Sequence, residues 1–503
     1  MYYEYCGIRY AVPVRFRSPK PPPTHSDIYK ANSSSVLCPQ FPCTDPLAAF
    51  SDNEDCLVLN IFTPTTFNST YPVMVFLHGG GFGVGTGSPV IYNPQFFLAH
   101  DVIIVTLNYR LNVYGFLNLG IRDAPGNAGL KDIRAALRWI QENISEFNGD
   151  PDNVTVFGQG SGGIAALYLT LSESTKGLCH KIISESGVLF SPHSFDSDPL
   201  KTASHVARSL EINTTNRKRL FDVYTNNTLL AIEEAISKQM NAQTVFVPSV
   251  EKIFDGEEAF LCDTPYNILS DTNNKAFNPV PLIIGLNTIE GLTSILDYNT
   301  MSSFTDRLKH GDNKVLDQRS LHVPEKDLEK FRSKIRETYF KDFDKESDIV
   351  SGFINLNSDF CYVGPMSLLA DIYVNNSNIP VYRYIFNYIG DRNLGRILTN
   401  VSLEATTNTD ELFYLFDSER FELALNEEDA RMVNFMTTMW TNFAKTGDPT
   451  PDKENGQWFP HPDVLAIDME PMYVEPLTPT RAQFWRESYL KYGAELPNFV
   501  SSI

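Results

Sequence analysis

A short apolar strand that runs into a glycine-rich turn and then a helix constrains this chain more than any other stretch. Residues 154–163 read VTVFGQGSGG, and the helical run continues to residue 172. The pattern G-x-S-x-G holds a nucleophilic serine on such a strand-to-helix turn. Gly158 and Gly162 supply the flanking glycines, so the central position falls on Gly160. The sequence therefore predicts a nucleophile turn without a nucleophile.

Ser161 offers a second interpretation of the turn. As the nucleophile it would have Gln159 and Gly163 at the flanks, whereas the first flank must be small for the turn to close. Glycine also adopts the positive φ of such a turn without steric cost. We therefore expect Gly160 at the apex. The alternatives are nucleophilic attack by Ser161 and an ordinary glycine-rich turn.

Apolar runs with helical segments between them indicate the fold class. Continuous apolar runs are typical of strands covered on both faces, as in a parallel sheet. Residues 129–147 repeat apolar side chains in steps of three and four, which marks one face of a helix. These patterns predict an α/β fold with a central, mostly parallel sheet flanked by helices, in a single domain over residues 1–503. The predicted strands are 73–77, 102–107, 154–157, 181–184, 281–285 and 381–386.

Three consecutive glycines, Gly79, Gly80 and Gly81, follow the first of these buried strands. Such a run lets backbone N–H groups point at a developing oxyanion, and it is the partner loop of a nucleophile turn. A phosphate-binding loop is less favoured because no G-x-x-x-x-G-K-[ST] pattern follows. We expect a vestigial oxyanion loop, completed by the N–H of Ser161, beside a turn that lacks its nucleophile.

Charge and hydropathy exclude several kinds of partner. The formal net charge of −20 and the pI near 4.9 argue against nucleic acid or an anionic membrane surface. The apolar runs are far shorter than the ~20 residues of a membrane helix. No secretory signal opens the chain, yet several N-x-S/T sequons lie in polar sequence typical of an extracellular surface. We expect an extracellular fragment, the ectodomain of a plasma-membrane-anchored protein.

The cysteines and sequons agree with an extracellular location. Close spacing in a polar segment makes three cysteines disulfide candidates, namely Cys38, Cys43 and Cys56. The others in apolar runs are either paired or buried free thiols, namely Cys179, Cys262 and Cys361. Asn153, at the entrance to a core strand, is expected to be too buried for a glycan. The predicted glycosylation sites are Asn32, Asn68, Asn143, Asn213, Asn226, Asn375 and Asn400.

Motifs in the same order along nearly the whole chain resemble the cholinesterase and type-B carboxylesterase family of α/β-hydrolases. The resemblance implies the α/β-hydrolase fold and a catalytic triad in the order Ser, acid, His. Besides the turn, the matching stretches are residues 5–13, 53–60, 78–82, 108–111, 115–117, 125–130, 136–139, 149–151, 440–444 and 484–486.

The resemblance locates the other two members of the triad. Glu290, just before a glycine, falls on the family's acid, and the position of the catalytic His is occupied by Asn408. Asn cannot take and return a proton near neutral pH, so it cannot serve as the general base. We expect no enzyme activity, and no cofactor or metal is implied. A replacement base would have to approach in space from His310, His322 or His461.

The loss of these catalytic groups resembles that in the family's inactive adhesion group, which contains neuroligins, neurotactin, gliotactin and glutactin. Within this group, the chain resembles neurotactin most. The resemblance implies an adhesion or receptor module that binds an extracellular or cell-surface protein, immunoglobulin-type or neurexin-like. Helices are predicted at residues 430–444 and 481–492, where relatives can form a dimer interface, so a homodimer is one possible state of the protein. The alternatives are a small-molecule-binding pseudoesterase and a residual carboxylic ester hydrolase using Ser161.

Overall fold

Fourteen strands occur in the part of the chain that the structure, a computed structural model, describes. That part comprises residues 2–24, 27–40, 51–66, 69–239, 246–296, 321–340, 345–399, 404–453, 457–475 and 479–493. The strands are β1 (Tyr2–Arg9), β2 (Val12–Val14), β3 (Arg17–Lys20), β4 (Val58–Pro64), β5 (Tyr71–Leu77), β6 (Ile103–Leu107), β7 (Asn118–Ile121), β8 (Ala124–Pro125), β9 (Gly149–Gln159), β10 (Lys181–Glu185), β11 (Leu282–Asn287), β12 (Val381–Phe386), β13 (Val464–Ile467) and β14 (Met472–Tyr473).

Ten of these strands form one sheet in the order β1-β4-β6-β5-β9-β10-β11-β12-β13-β14. The strands from β6 to β13 in that order pair in parallel. Strands β1 and β4 at one edge and β14 at the other pair antiparallel. This arrangement confirms the predicted mostly parallel sheet, and all six predicted strands lie in its centre, with bounds that shift by a few residues.

Helices cover both faces of the sheet because alternate strand residues are apolar on each side. Val75 and Leu77 of β5 face one core cluster, whereas Phe76 faces the other. The α-helices are α1 (Asn112–Phe116), α2 (Ala128–Asn143), α3 (Ser161–Tyr168), α4 (Pro199–Ser209), α5 (Arg217–Asn226), α6 (Leu229–Gln239), α7 (Pro265–Ser270), α8 (Glu325–Tyr339), α9 (Glu346–Ser358), α10 (Gly364–Ser377), α11 (Leu394–Thr399), α12 (Glu427–Thr446) and α13 (Pro479–Tyr492).

The amphipathic segment predicted at residues 129–147 is α2 followed by a 3₁₀ turn, Ile144–Phe147. Asn148 ends it in the left-handed conformation at φ 63°. The helix expected up to residue 172 changes to a 3₁₀ turn at Leu169–Leu171. Both late helices predicted at residues 430–444 and 481–492 are present, within α12 and α13.

One disulfide joins Cys38 and Cys56, two of the three candidates. Cys43 lies outside the described residues. None of the three cysteines of the apolar runs forms a disulfide within the described residues, and Cys179 and Cys361 are buried. Cys262 is exposed, which corrects the expectation of a buried thiol, because the preceding Leu261 takes the buried side of the segment.

Most of the described sequon asparagines are exposed. Asn143 is half-buried and donates its side-chain N–H to the Trp139 carbonyl. Asn153 is half-buried rather than fully buried. Its side-chain oxygen accepts a hydrogen bond from Lys181 Nζ at 2.5 Å. Asn68 and Asn400 lie outside the described residues. The exposed members are Asn32, Asn213, Asn226 and Asn375.

Within the described ranges, no helix combines the length and the apolar character that crossing a bilayer requires.

Candidate active site

The turn between β9 and α3 has Gly160 at its apex. Its backbone angles are φ 56° and ψ −123°, a conformation that favours glycine. The Gly160 N–H donates to the Glu185 carbonyl at 2.7 Å, and its carbonyl accepts from the Ile164 N–H at 3.0 Å. Two backbone hydrogen bonds therefore hold the apex between strand β10 and the first turn of α3.

The three glycines of the turn are required for different reasons. A Cβ atom at Gly158 would lie 2.5 Å from the Leu77 carbonyl oxygen, and one at Gly162 would lie 1.9 Å from it. These contacts let the start of α3 pack directly on the end of β5. Apart from its two chain neighbours, a Cβ atom at Gly160 would have no heavy atom of the described residues within 4 Å. The flanks have no room for a side chain, whereas the space beside the apex is open.

Ser161, the residue after the apex, is buried. Its side chain is 4% exposed, and its hydroxyl has no hydrogen-bond partner among the described residues. It lies beside the Tyr109 hydroxyl, which donates instead to the His78 carbonyl at 2.8 Å. Burial raises the pKa of Tyr109, and the contact with Ser161 lowers it slightly. No group that could act as a base is bonded to the Ser161 hydroxyl.

The glycine loop after β5 packs against the turn. A Cβ atom at Gly79 would lie 2.7 Å from Gln159 Oε1 and 2.8 Å from the Gln159 carbonyl oxygen. Gly80 and Gly81 have positive φ, are partly exposed, and donate no backbone hydrogen bond within the described part of the chain. The Ser161 N–H opens α3, where a helix has no internal acceptor for it. These N–H groups are available to an oxyanion or another anion.

Glu290 and Asn408 lie together, as the family order of the triad implies. Asn408 Nδ2 donates to Glu290 Oε2 at 2.8 Å, and Asn408 Oδ1 accepts from Gln159 Nε2 at 2.9 Å. Glu290 Oε1 accepts from the Ser186 hydroxyl at 2.5 Å and from the Asn287 backbone N–H at 2.6 Å. A continuous chain of hydrogen bonds therefore joins the acid to the residue that precedes the apex.

Two further acids, which the sequence analysis missed, are buried behind Glu290. Glu411 accepts from Asn287 Nδ2 at 2.6 Å, and Glu185 accepts from Trp440 Nε1 at 2.7 Å. Burial raises the pKa of all three carboxyl groups, that of Glu185 to about 7. The pKa of Glu411 is raised well above its ordinary value, first by burial and then by the charge of Glu290. Burial therefore disfavours the charged form of each carboxyl group in this cluster.

None of the described histidines bonds to this chain of residues. His461 pairs with Asp371 at 3.3 Å, and the His322 backbone N–H donates to the Tyr492 carbonyl at 2.7 Å. His310 lies outside the described residues. The sequence signal that could have located Gln159 is its place just before the apex, but its partner is 249 residues away and no spacing rule predicts that contact.

The sheet order, the turn, the glycine loop and the acid together define the α/β-hydrolase fold. The carboxylesterase family matches residues 1–485, so the chain belongs to the carboxylesterase family. It is similar to a juvenile hormone esterase of Heliothis virescens, with 30% identity over 90% of this chain and 83% of that protein. It is also similar to carboxylesterase 5A of Canis lupus familiaris, with 31% identity over 96% of this chain and 84% of that protein.

The fold is likewise that of a solved esterase. The crystal structure of juvenile hormone esterase from Manduca sexta, with OTFP covalently attached, superposes with a TM-score of 0.86 and 26% identity. The match covers 97% of this chain and 95% of that one. These relatives are named as esterases, which contradicts the predicted adhesion or receptor module. The resemblance holds for the family, and nothing in the comparisons supports its adhesion group.

Proposed function

We propose that this protein binds a small carbonyl-bearing molecule at the carboxylesterase site and does not hydrolyse it. The observation that carries the proposal is Gly160, which stands at the apex of the nucleophile turn with open space in place of a side chain. The backbone N–H groups that would hold a carbonyl oxygen remain available. Relatives named as esterases supply the expectation that the ligand is ester-like.

The chemistry of acyl transfer explains why binding would stop short of hydrolysis. A nucleophile must attack the carbonyl carbon, and a general base must accept its proton. Gly160 has no atom for the first step. Asn408 already donates to Glu290 and accepts from Gln159, and an amide does not take up a proton near neutral pH. Glu290, 1% exposed behind Asn408, is out of reach of a bound water.

An extracellular location is part of the proposal. Disulfides form and persist in oxidising compartments, and this chain contains one between Cys38 and Cys56. Exposed sequons such as Asn213 and Asn375 would be accessible to glycosylation.

Restoring the two missing groups tests the absence of hydrolysis. We expect the purified protein neither to react with a fluorophosphonate probe nor to release 1-naphthol from 1-naphthyl butyrate above the weak acceleration that an oxyanion hole alone provides. The Gly160→Ser, Asn408→His double variant is expected to gain labelling and at least a tenfold increase in turnover. The two single variants, each lacking one group, serve as controls. Stoichiometric labelling of the unmodified protein at Ser161 would contradict the proposal.

The same ester measures binding. In equilibrium dialysis, intact 1-naphthyl butyrate should be retained by the unmodified protein and by Gly177→Leu. Gly160→Leu should not retain it, because the new side chain fills the open space. Gly177 is a matched control since it has φ 79°, is exposed, and also has open space around its Cβ position. Equal retention by the two leucine variants would place the ester elsewhere on the molecule.

A further inference from the structure

The open space beside Gly160 is bordered by hydrogen-bond donors. Gly80 and Gly81 present backbone N–H groups with no acceptor in the described part of the chain, and the Ser161 N–H opens α3. Gly80, Gly81 and Gly160 are all partly exposed, so a molecule from solvent can reach this space. The single carbonyl oxygen of a neutral ligand would occupy only this one set of N–H donors.

A second set of donors comes from two side-chain amides. Each amide nitrogen carries two protons. One proton of Gln159 Nε2 is bonded to Asn408, and one proton of Asn408 Nδ2 is bonded to Glu290. The second proton on each nitrogen has no acceptor in the described contacts. Gln159 Oε1 lies against the glycine loop, 2.7 Å from the position of a Gly79 Cβ atom. The two amides therefore add donors beside the first set.

The acids near this space are shielded from it. Both oxygens of Glu290 are occupied, Oε1 by Ser186 and Asn287 and Oε2 by Asn408. Glu411 lies deeper, is fully buried, and has a pKa raised well above its ordinary value by burial and by the charge of Glu290. The Asn408 amide thus separates the buried Glu290 carboxyl group from the open space, and the donors around that space favour an anion over a cation.

The helix that packs against the Asn408 loop also carries exposed apolar side chains. Helix α11 packs on the Asn408 loop, because a Cβ atom at Gly395 would lie 2.4 Å from the Asn408 carbonyl oxygen. The same helix exposes Ile397 and Leu398, with 53% and 40% of their surfaces accessible. A ligand whose charged end reached Gly160 could lay an apolar body along these two side chains.

We propose that the site binds the free carboxylate of an apolar acid in preference to the corresponding ester. One carboxylate oxygen would accept from the glycine-loop and Ser161 N–H groups, and the other from Gln159 and Asn408. This inference rests on the proposed small-molecule binding at the same site. An ester has no charge and its alkoxy oxygen is a poor acceptor, whereas hydrogen bonds to a carboxylate are charge-assisted.

The test compares 11-(dansylamino)undecanoic acid with its methyl ester by the rise in dansyl fluorescence at pH 8. We expect the acid to bind at least about tenfold more tightly than the methyl ester, since losing charge-assisted hydrogen bonds costs about one to two orders of magnitude in affinity. Equal affinities would overturn the carboxylate preference and leave small-molecule binding in place. If the acid, the methyl ester and 1-naphthyl butyrate all fail to bind, both proposals are wrong.

Substitutions at Gln159 test whether the carboxylate of the ligand binds beside the two amides. Gln159→Glu should weaken binding of the acid at least about tenfold and change binding of the methyl ester less than about threefold. Gln159→Met, which removes the donors without adding charge, should lower the affinity for the acid several-fold. Gln141→Glu, the same change at a half-buried position of α2 where the amide donates to the Pro151 carbonyl, should leave the affinity unaltered. Full affinity for the acid in both Gln159 variants, or in Gly160→Leu, would overturn the proposal.

Discussion

At the scale of single residues, the buried carboxyl group of Glu185 has no cationic partner among the residues that the structure describes. It is fully buried, one oxygen accepts from Trp440, and the other has no hydrogen-bond partner among the described residues. A buried charge without a counter-charge is costly, so the group retains its proton to higher pH. Burial accordingly raises its pKa to about 7. The neighbouring acids Glu290 and Glu411 shift in the same direction.

This shift predicts a stability that falls as the pH rises. Between the ordinary carboxyl pKa and about 7, the native state binds a proton at Glu185 that the unfolded chain has lost, so stability decreases over that window. The pKa difference of this group corresponds to roughly 3 kcal/mol. We expect Glu185→Gln to be more stable than the unmodified protein at pH 8 and similar at pH 5, as measured by urea unfolding.

The control is Glu142→Gln, an exposed glutamate on α2 whose replacement should not change the pH dependence. The pH dependence in Glu185→Gln should be reduced rather than abolished, because burial also raises the pKa of Glu233 to about 7. An unchanged pH profile in Glu185→Gln would contradict the assignment.

At the scale of elements, the glycine turn is where β9, α3 and β5 meet. The requirement for glycine at its flanks comes from the backbone of β5 and the loop after it, because a Cβ atom at Gly162 would lie 1.9 Å from the Leu77 oxygen and 2.7 Å from the His78 oxygen. Backbone atoms cannot turn aside as a flexible side chain can. At Gly160 the requirement is conformational only, since φ is 56° and the space is open.

The two causes predict different costs for the same substitution. Gly162→Ala should lower the free energy of unfolding by about 3 kcal/mol or more, because α3 must move away from β5. Gly160→Ala should cost about 1–2 kcal/mol, the strain of a non-glycine residue at positive φ. Urea unfolding of the two alanine variants measures the difference. Equal losses of unfolding free energy at the two positions would contradict the argument that only Gly162 is required for packing.

At the scale of the whole molecule, one sheet extends from β1 to β14 with a hydrophobic cluster on each face. The edge nearest the N-terminus is β1, which pairs only with β4 in that sheet. The disulfide between Cys38 and Cys56 ties the segment after β3 to the residues just before β4. It therefore anchors the residues around Cys38 to the start of β4.

Loop closure predicts the contribution of this disulfide. The bond spans 18 residues, for which the chain-entropy model gives about 3 kcal/mol. The Cys38→Ala, Cys56→Ala double variant should lose about that much free energy of unfolding. Cys262→Ala, which removes an exposed free thiol, should have little effect. A double variant as stable as the unmodified protein would show that the described contacts already hold the segment in place.

The adhesion prediction was wrong because it inferred a binding role from missing catalytic groups. Gly160 was found from the glycine pattern and Asn408 from the family resemblance, and the structure places Gly160 in the turn and Asn408 beside Glu290. The adhesion role came only from the likeness of those changes to an inactive group. A missing nucleophile says what a site lacks and does not say what the surface binds.

The sequence by itself determined the fold class and the presence of a glycine at the centre of the turn, because strand and helix periodicity and the glycine pattern are local. Only the tertiary structure decided which cysteine pairs with Cys38, that Cys262 faces solvent, and that Gln159 bonds to Asn408. It also decided the raised pKa of Glu185. These features depend on contacts between residues far apart in the chain and on the removal of water around them, which no local pattern encodes.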